Sequence, residues 1–366
     1  MKVVISKTEL ASLIGKIQSI VPAKPSLPIL GNVLIEAISD QLIISATDLT
    51  VSMRAYANTK VSQPGAITLP AKRLFQLVRE LTAPQIEIEC STPEIAHIRA
   101  GSSHFKIHGM HKGEFPALPD LSTGVSFTIP DQTFKEMLSR TAFAAARDDT
   151  RQILNGIFLQ SVGNVATFIG TDGKRLAKIY TEVELPETHS GAYVVPLKAV
   201  EEMIKILDGE NSTSKLTLTT DKLGIESGSV TLITKLLSGQ YPDVARVIPG
   251  KSEAPIVLHR EELISLLRQV ALFTSDASSS VRFSFEPGEL RLSATSGDIG
   301  EGKVCMTVNY NGPKLDIAFN PNYFLDILRH SKDETVHFDI SDSYNPGLIT
   351  DSTKALFVIM PMRLEI

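Results

Sequence analysis

Ala192-Tyr-Val-Val-Pro196-Leu-Lys198-Ala-Val-Glu-Glu-Met-Ile-Lys-Ile-Leu207 is a strand that runs through a proline into a helix, and the chain carries two further versions of it. One is Ala66-Ile-Thr-Leu-Pro70-Ala-Lys72-Arg-Leu-Phe-Gln-Leu-Val-Arg-Glu-Leu81, the other Asp316-Ile-Ala-Phe-Asn320-Pro-Asn322-Tyr-Phe-Leu-Asp-Ile-Leu-Arg329. The strand ends Leu69, Val195 and Phe319 lie 126 and 124 residues apart. Behind each, apolar residues fall at i, i+3, i+4: Leu74, Leu77 and Val78; Val200, Met203 and Ile204; Phe324, Ile327 and Leu328. That stripe is what one buried helix face requires. A proline at the helix start costs little, because first-turn N–H groups have no partner inside the helix.

A second unit keeps nearly the same spacing, with offsets of 124 and 129 residues. Ile5-Ser6-Lys-Thr-Glu-Leu10-Ala-Ser-Leu13-Ile14 matches Ile129-Pro130-Asp-Gln-Thr-Phe134-Lys-Glu-Met137-Leu138 and Leu258-His259-Arg-Glu-Glu-Leu263-Ile-Ser-Leu266-Leu267. Two different elements sharing one period mean that a whole domain has been copied three times. The period is far beyond the roughly 20–50 residues of solenoid repeats. At 366 residues, three domains of about 120 residues are of ordinary size. Their expected bounds are 1–124, 125–250 and 251–366, each an α+β domain of helices and antiparallel strands.

Composition sets limits on the class. Hydrophobic residues make up 43% of the chain and mean hydropathy is +0.07, ordinary for a chain that buries cores. No run of about 18 apolar residues suggests a membrane span. Met1-Lys2-Val-Val-Ile-Ser-Lys7 lacks a signal-peptide layout. Cys90 and Cys305 stand in different repeats, which suits a reducing cytoplasm rather than a disulfide scaffold.

Taken in order, repeat one opens with a helix from Ser6 to about Val21, after which Pro22, Pro25 and Pro28 impose an extended connection. Gly31 to Ile38 and Gln41 to Ala46 read as a hairpin about Ser39-Asp40. Gln85 to Cys90 and Ala96 to Arg99 alternate apolar with polar, so one face is buried and the other wet. Phe115 to Leu121 reads as the linker to repeat two, whose helix is expected from Asp131 to about Ala146 and whose strands are Gly156–Gln160 and Val165–Gly170. Ile248 to Pro255 is the second linker. The apolar end Ala355 to Ile366 is either a buried strand or part of a binding surface.

No catalytic constellation holds together. His104, His108 and His111 are close in sequence, but Ser103 to His108 reads as a strand and no cysteine or carboxylate cluster completes a metal set. Asp148-Asp149 beside Arg147 and Arg151 reads as a salt-bridged loop. Thr171-Asp-Gly-Lys-Arg175 lacks the glycine spacing of a phosphate loop and reads as a hairpin turn about Asp172-Gly173. The chain is therefore expected to be no enzyme and to need no cofactor or metal.

Net charge is −5, which alone argues against nucleic acid. The six repeated helices (6–20, 71–81, 131–147, 198–208, 259–270 and 322–332) nevertheless sum to +4, leaving −9 for the rest. If the helices share one surface, it is positive on an acidic body.

The three repeats, Leu27-Pro-Ile-Leu-Gly-Asn32, Gly170-Thr-Asp-Gly-Lys-Arg-Leu-Ala177 and Met360-Pro-Met-Arg-Leu364 together resemble the bacterial DNA polymerase III beta subunit, the sliding-clamp family, over the whole chain. The resemblance implies a head-to-tail homodimer closed into a ring about duplex DNA, helices lining the bore and sheets outside. It implies sequence-independent DNA contacts from Lys24, Lys72, Arg73, Gln152 and Lys198. It implies a subunit interface at Phe105, Ile107, Leu272 and Phe273. It also implies an apolar pocket for short peptide motifs of the polymerase III alpha subunit, the clamp loader, other DNA polymerases and repair proteins. Matching pocket positions are Leu154, Thr171, Gly173, Lys174, Arg175 and Leu176, then Pro242, Arg246 and Val247, then Val358, Met360, Pro361, Met362, Arg363 and Leu364. In this chain Lys174 stands where the family often has histidine, Leu197 where a basic residue is common, Gln152-Ile153 where some relatives have aromatics, and Glu365-Ile366 extends the end. Competing readings are a three-domain interaction scaffold without a DNA role, and an enzyme built on Thr171 to Arg175.

Overall fold

The computed structural model describes residues 1–366 apart from 93, 186–188, 208, 210, 211, 253, 276–278 and 364–366. Among the described residues there are six α-helices, two per repeat: α1 (Lys7–Ile17), α2 (Ala71–Glu80), α3 (Asp131–Ala142), α4 (Leu197–Ile206), α5 (Arg260–Ala271) and α6 (Pro321–His330). A strand leads directly into five of them, and Leu315–Phe319 reaches α6 through Asn320. The sequence supplies the starts. Ser6 caps α1 by accepting from the Glu9 N–H at 3.2 Å, while its hydroxyl donates to the Glu9 carboxylate at 2.6 Å. Asn320 caps α6 from the Asn322 N–H, with Pro321 in the first turn.

The apolar stripes are buried as expected. Leu10, Leu13 and Ile14 of α1, Leu74 and Val78 of α2, and Phe324, Ile327 and Leu328 of α6 are at most 3% exposed. Leu77 and Ile204 stay half-buried. Two boundaries differ from expectation. α3 stops at Ala142: the N–H groups of Ala144 and Ala145 reach back only three residues and that of Ala146 goes to the Leu154 carbonyl, so the helical ladder is not continued. Pro28 does not extend the proline-rich connection but opens a 3-10 turn, Pro28–Gly31, so the following strand begins at Asn32.

The chain divides into two compact units, Met1–Lys135 with Lys198–Leu236, and Glu136–Leu197 with Leu237–Ile366. The cut runs through repeat two, and the sheets explain why. In the first unit, four strands of repeat two (Val125–Pro130, Thr213–Leu218, Lys222–Ser227, Val230–Lys235) continue into four of repeat one (Val51–Asn58, Gln41–Thr47, Asn32–Ile38, Gly65–Pro70) as one eight-stranded sheet. In the second unit, Ser190–Pro196, Gly156–Val162, Val165–Thr171 and Arg175–Glu182 of repeat two continue into Ala355–Ile359, Gly347–Thr350, Thr335–Asp339 and Ile256–His259 of repeat three. Each unit holds one further sheet. The first has five strands ending in Ser103–His108, and the second has four ending in Gly300–Thr307. All pairings are antiparallel, as the alternating patterns require.

The two junctions between repeats use one register. Leu232 lies opposite Met53 in the first, and Phe357 opposite Ala177 in the second. Met53 and Ala177 are the same repeat position, 124 residues apart, as are the hairpin pairs Leu34–Ser45 and Phe158–Ile169. The second junction is further tied by a buried ion pair. Arg140 of α3 bonds the Asp351 carboxylate, with side chains 4% and 0% exposed, and Thr353 at 2.7 Å. Burial works against the Asp351 charge, but hydrogen bonds from Thr353 and the Lys332 N–H, with Arg140 beside it, outweigh that and lower its pKa.

Arg140→Ala leaves this carboxylate buried without its cation and is expected to cost about 3–5 kcal/mol in urea unfolding. Because the folded pKa of Asp351 is depressed, its contribution is present above the ordinary carboxylate value and is lost as pH falls through the folded one. Stability measured against pH should therefore drop on acidification below about pH 4, and Asp351→Asn should flatten that drop.

Candidate peptide pocket, nucleic-acid surface and subunit edge

The turn Thr171 to Arg175 is the hairpin between Val165–Thr171 and Arg175–Glu182. Its geometry is set by local bonds. The Asp172 carboxylate accepts from the N–H groups of Lys174 and Arg175, the Thr171 hydroxyl accepts from the Gly173 N–H, and Gly173 takes φ +82°, which disfavours side chains. Arg175 and Leu176 then pair with Ile359 and Val358 of the last strand, and Met360 N–H donates to the Lys174 carbonyl. Two stretches nearly two hundred residues apart in sequence thus become neighbours. Between them and the segment after Tyr241 lies a cavity of about 190 Å³.

Nine of the expected pocket residues line it: Leu154, Thr171, Gly173, Arg175, Leu176, Pro242, Val247, Val358 and Met360. Arg151, Asp243 and Val244 complete the wall and were missed by sequence reasoning. Asp243 and Val244 adjoin Pro242, so extending that segment would have found them. Other expected residues do not line the cavity. Lys174 contributes its carbonyl to the neighbouring bond, Arg246 is 85% exposed at its side chain and pairs with Asp243, and Arg363 is exposed. Pro361 and Met362 lead away, because the Met362 N–H donates to the Ala318 carbonyl at 2.7 Å and bridges to the four-stranded sheet. Leu364 and the extension Glu365-Ile366 lie outside the described residues. Beneath the cavity, Tyr241 stacks on Phe158 at 4.7 Å, and burial raises the Tyr241 pKa.

Arg175 is not a free polar handle. Its guanidinium bonds Asp172 at 3.1 Å and Asp326 of α6 at 2.6 Å, and lies 4.6 Å from the Tyr323 ring centroid and 5.5 Å from that of Phe143. Phe143 stacks in turn on His330, whose pKa is lowered, by burial first. Arg151 is held by Asp149, whose carboxyl the Arg151 hydrogen bonds lower to about 2. The Asp149–Arg151 loop is therefore a salt bridge, as its sequence suggests.

Lys24, Lys72, Arg73, Gln152 and Lys198 are all exposed. Lys198 is the most restrained, since it bonds Asp48. Burial works against the Asp48 charge, yet the Lys198 bond and the N–H groups of Val51 and Thr50 lower its pKa. Three ionisable helix residues are buried, the acids Asp131 and Glu202 and the base Arg140. Asp131 is satisfied by the hydroxyls of Ser212, Ser214 and Ser227, and Glu202 by Ser19 and Lys205. The accessible helix residues are thus more positive than the whole-helix count, although Arg140 drops out of it. Asp208, included in that count, lies outside the described residues.

Phe105 and Ile107 sit on Ser103–His108, one of the two edge strands of the five-stranded sheet. A groove of about 970 Å³ runs between this strand and α2, lined also by Lys72, Arg73 and Leu77. Leu272, just after α5, is 72% exposed, and Phe273 lies on the backbone of Gly302 in Gly300–Thr307, an edge strand of the four-stranded sheet, where a Cβ would come within 2.5 Å of the ring. His104 and His108 lie on the edge strand, while the His111 ring accepts from the Gly113 N–H, so each has its own local place. Replacing Asp326 by Ala should release one side of the Arg175 guanidinium and lower thermal stability by roughly 1 kcal/mol, checked by calorimetry against wild type.

Comparison with known proteins adds the family. Residues 1–119, 128–243 and 245–363 match the N-terminal, central and C-terminal domains of the DNA polymerase III beta subunit. The beta sliding clamp of Chlamydia pneumoniae is 54% identical over 365 residues, covering all of both chains, and that of Escherichia coli K12 is 30% identical over 370, again in full. The crystal structure of the Pseudomonas aeruginosa DNA polymerase sliding clamp superposes with a TM-score of 0.95 at 28% identity, covering both chains completely, and the Bacillus subtilis clamp does so with 0.95 at 26%. The chain belongs to the DNA polymerase III beta subunit family, the bacterial sliding clamps.

Proposed function

We propose that this protein is a processivity factor, a non-catalytic clamp that encircles duplex DNA and tethers the replicative polymerase to it. One observation carries the closure. Within the chain, the last strand of each later repeat pairs with the fourth strand of the repeat before it: Val230–Lys235 with Val51–Asn58, and Ala355–Ile359 with Arg175–Glu182. Two strands are left over from this pattern, Ser103–His108, the last of repeat one, and Gly300–Thr307, the fourth of repeat three. Carrying the same register across sets Phe105 of one copy opposite Gly302 of the next, beside Phe273, and Lys106 opposite Glu301. Unpaired strand edges are templates for pairing. Two copies joined head to tail twice pair these two left-over strands and close a ring of three repeats each, with domains proposed at 1–124, 125–250 and 251–366.

A closed ring holds DNA topologically and needs no tight or base-specific contact. Modest positive charge, screened over a Debye length of about 8 Å, lets such a surface slide, whereas a strongly basic one would cling to phosphates. Lys24, Lys72, Arg73, Gln152 and Lys198 are the proposed contacts. The apolar cavity with its Met360 wall suits short peptides of varied sequence, as a methionine surface adapts to several partners. The polymerase alpha subunit, the clamp loader and repair proteins are the proposed bearers of those peptides, and replication places the protein in the cytoplasm. Among the described residues no helix is long and apolar enough to cross a membrane.

Three measurements check this. On a nicked circle the protein should be retained and on the linearised molecule it should slide off; Lys24→Glu with Lys198→Gln should weaken low-salt retention, while a scaffold without a DNA role would show no difference between circle and line. Leu272→Ala with Phe273→Ala should sediment as a 39.8 kDa monomer, since both anchors are lost from each interface. A peptide carrying a glutamine and a leucine-phenylalanine pair should bind with micromolar affinity, about −8 kcal/mol, and Met360→Ala with Val247→Ala should weaken it roughly tenfold without changing the sedimentation of the dimer.

A further inference from the structure

Each junction inside the chain has a second contact besides its strand pairing. A residue near the end of the repeat's first helix reaches the turn that precedes the incoming last strand. At the second junction this is Arg140 of α3, buried against Asp351 and Thr353. At the first it is Lys16 of α1, whose Nζ meets the Ser229 hydroxyl at 3.4 Å, an exposed and longer contact. Lys16 and Arg140 are the same repeat position, six residues beyond Leu10 and Phe134. The third version of that position, six beyond Leu263, is Gln269, exposed on the last turn of α5 and bonded only weakly to Ser265 at 3.3 Å. The turn corresponding to Ser229 in repeat one is Gly101-Ser102, where Gly101 takes φ +61° and Ser102 is exposed.

We propose that Gln269 is the tether position of the seam between copies: it faces the Gly101-Ser102 turn of a second copy and holds that turn through neutral hydrogen bonds only. The strand register is then the same at all three junctions while the tether weakens from a buried ion pair, through a lysine–hydroxyl contact, to an amide–hydroxyl contact. The surface at the end of α5 therefore recognises a second copy of this chain without locking it. A ring that must open to admit DNA parts where the tether carries no charge, and the covalent junctions stay closed. A charge-assisted pair is shorter and stronger than a neutral one, so restoring charge at this position should lengthen the life of the seam. The proposal rests on the head-to-tail closure proposed above.

The experiment is subunit exchange between two fluorescently labelled pools of the full chain, compared for wild type, Gln269→Arg, Ser102→Asp and the two together. The double variant should exchange about tenfold more slowly than either single variant at low salt, with the difference shrinking at 1 M salt. A double variant that exchanges as fast as the singles overturns the tether. Ser102→Cys tests the seam separately, because the shared register puts it opposite the native Cys305, which is exposed on the edge strand Gly300–Thr307. Mild oxidation should yield a covalent dimer on a denaturing gel. If that crosslink forms while exchange is unchanged, only the tether is wrong; if no crosslink forms, the register and the tether fall together.

Discussion

Strand pairing across repeat boundaries is the constraint on which the structure depends. A domain of about 120 residues can close its own sheet, but here the sheets run on from one repeat into the next, with Leu232 opposite Met53 and Phe357 opposite Ala177. Backbone groups at those edges find partners in the neighbouring repeat, which removes the cost of leaving them unpaired. The consequence is that repeat two is shared between two compact units rather than forming one. Covalent order and compact units are therefore out of step: each compact unit is built about a junction rather than about a repeat.

The cavity proposed for peptides is a by-product of one such junction. Its floor is the paired strands, Leu176 against Val358, and its rim is the hairpin turn that must end where the incoming strand begins. Gly173 keeps that rim open, because a backbone at φ +82° disfavours a side chain and none stands over the cavity. At the first junction the same turn carries Leu49 at φ +76°, a strained position for a branched residue, with Asp48 tied to Lys198. The repeats thus share a scaffold and diverge at the turn, which is where a binding function can be gained at one copy alone.

Electrostatics follows a similar division. Arg140 and Arg175 count as helix or turn charges in the sequence, but both are consumed by carboxylates inside the second unit. What remains accessible is a scatter of single bases such as Lys24, Lys72 and Arg73. Mild and dispersed charge of that kind is strongly screened, a property that suits contact with a moving polyanion better than capture of a fixed one.

The sequence by itself determined the three repeats, their helix stripes, the strand–proline–helix units and the hairpin at Thr171 to Arg175, because these rest on local periodicity and turn chemistry. Resemblance to the family, rather than the residues themselves, singled out Leu154, Leu176, Pro242, Val358 and Met360, which line one cavity. The sequence did not reveal that Met362 turns away to join Ala318, that Asp326 and Tyr323 hold Arg175, or that Ala146 leaves α3 to bond Leu154. Those outcomes depend on which partners lie within reach after strands about 180 residues apart have paired, and spacing along the chain carries no record of that. Tertiary structure alone decided which charges are spent in the interior, which cavity residues meet, and which two strands are left over from the pairing between repeats.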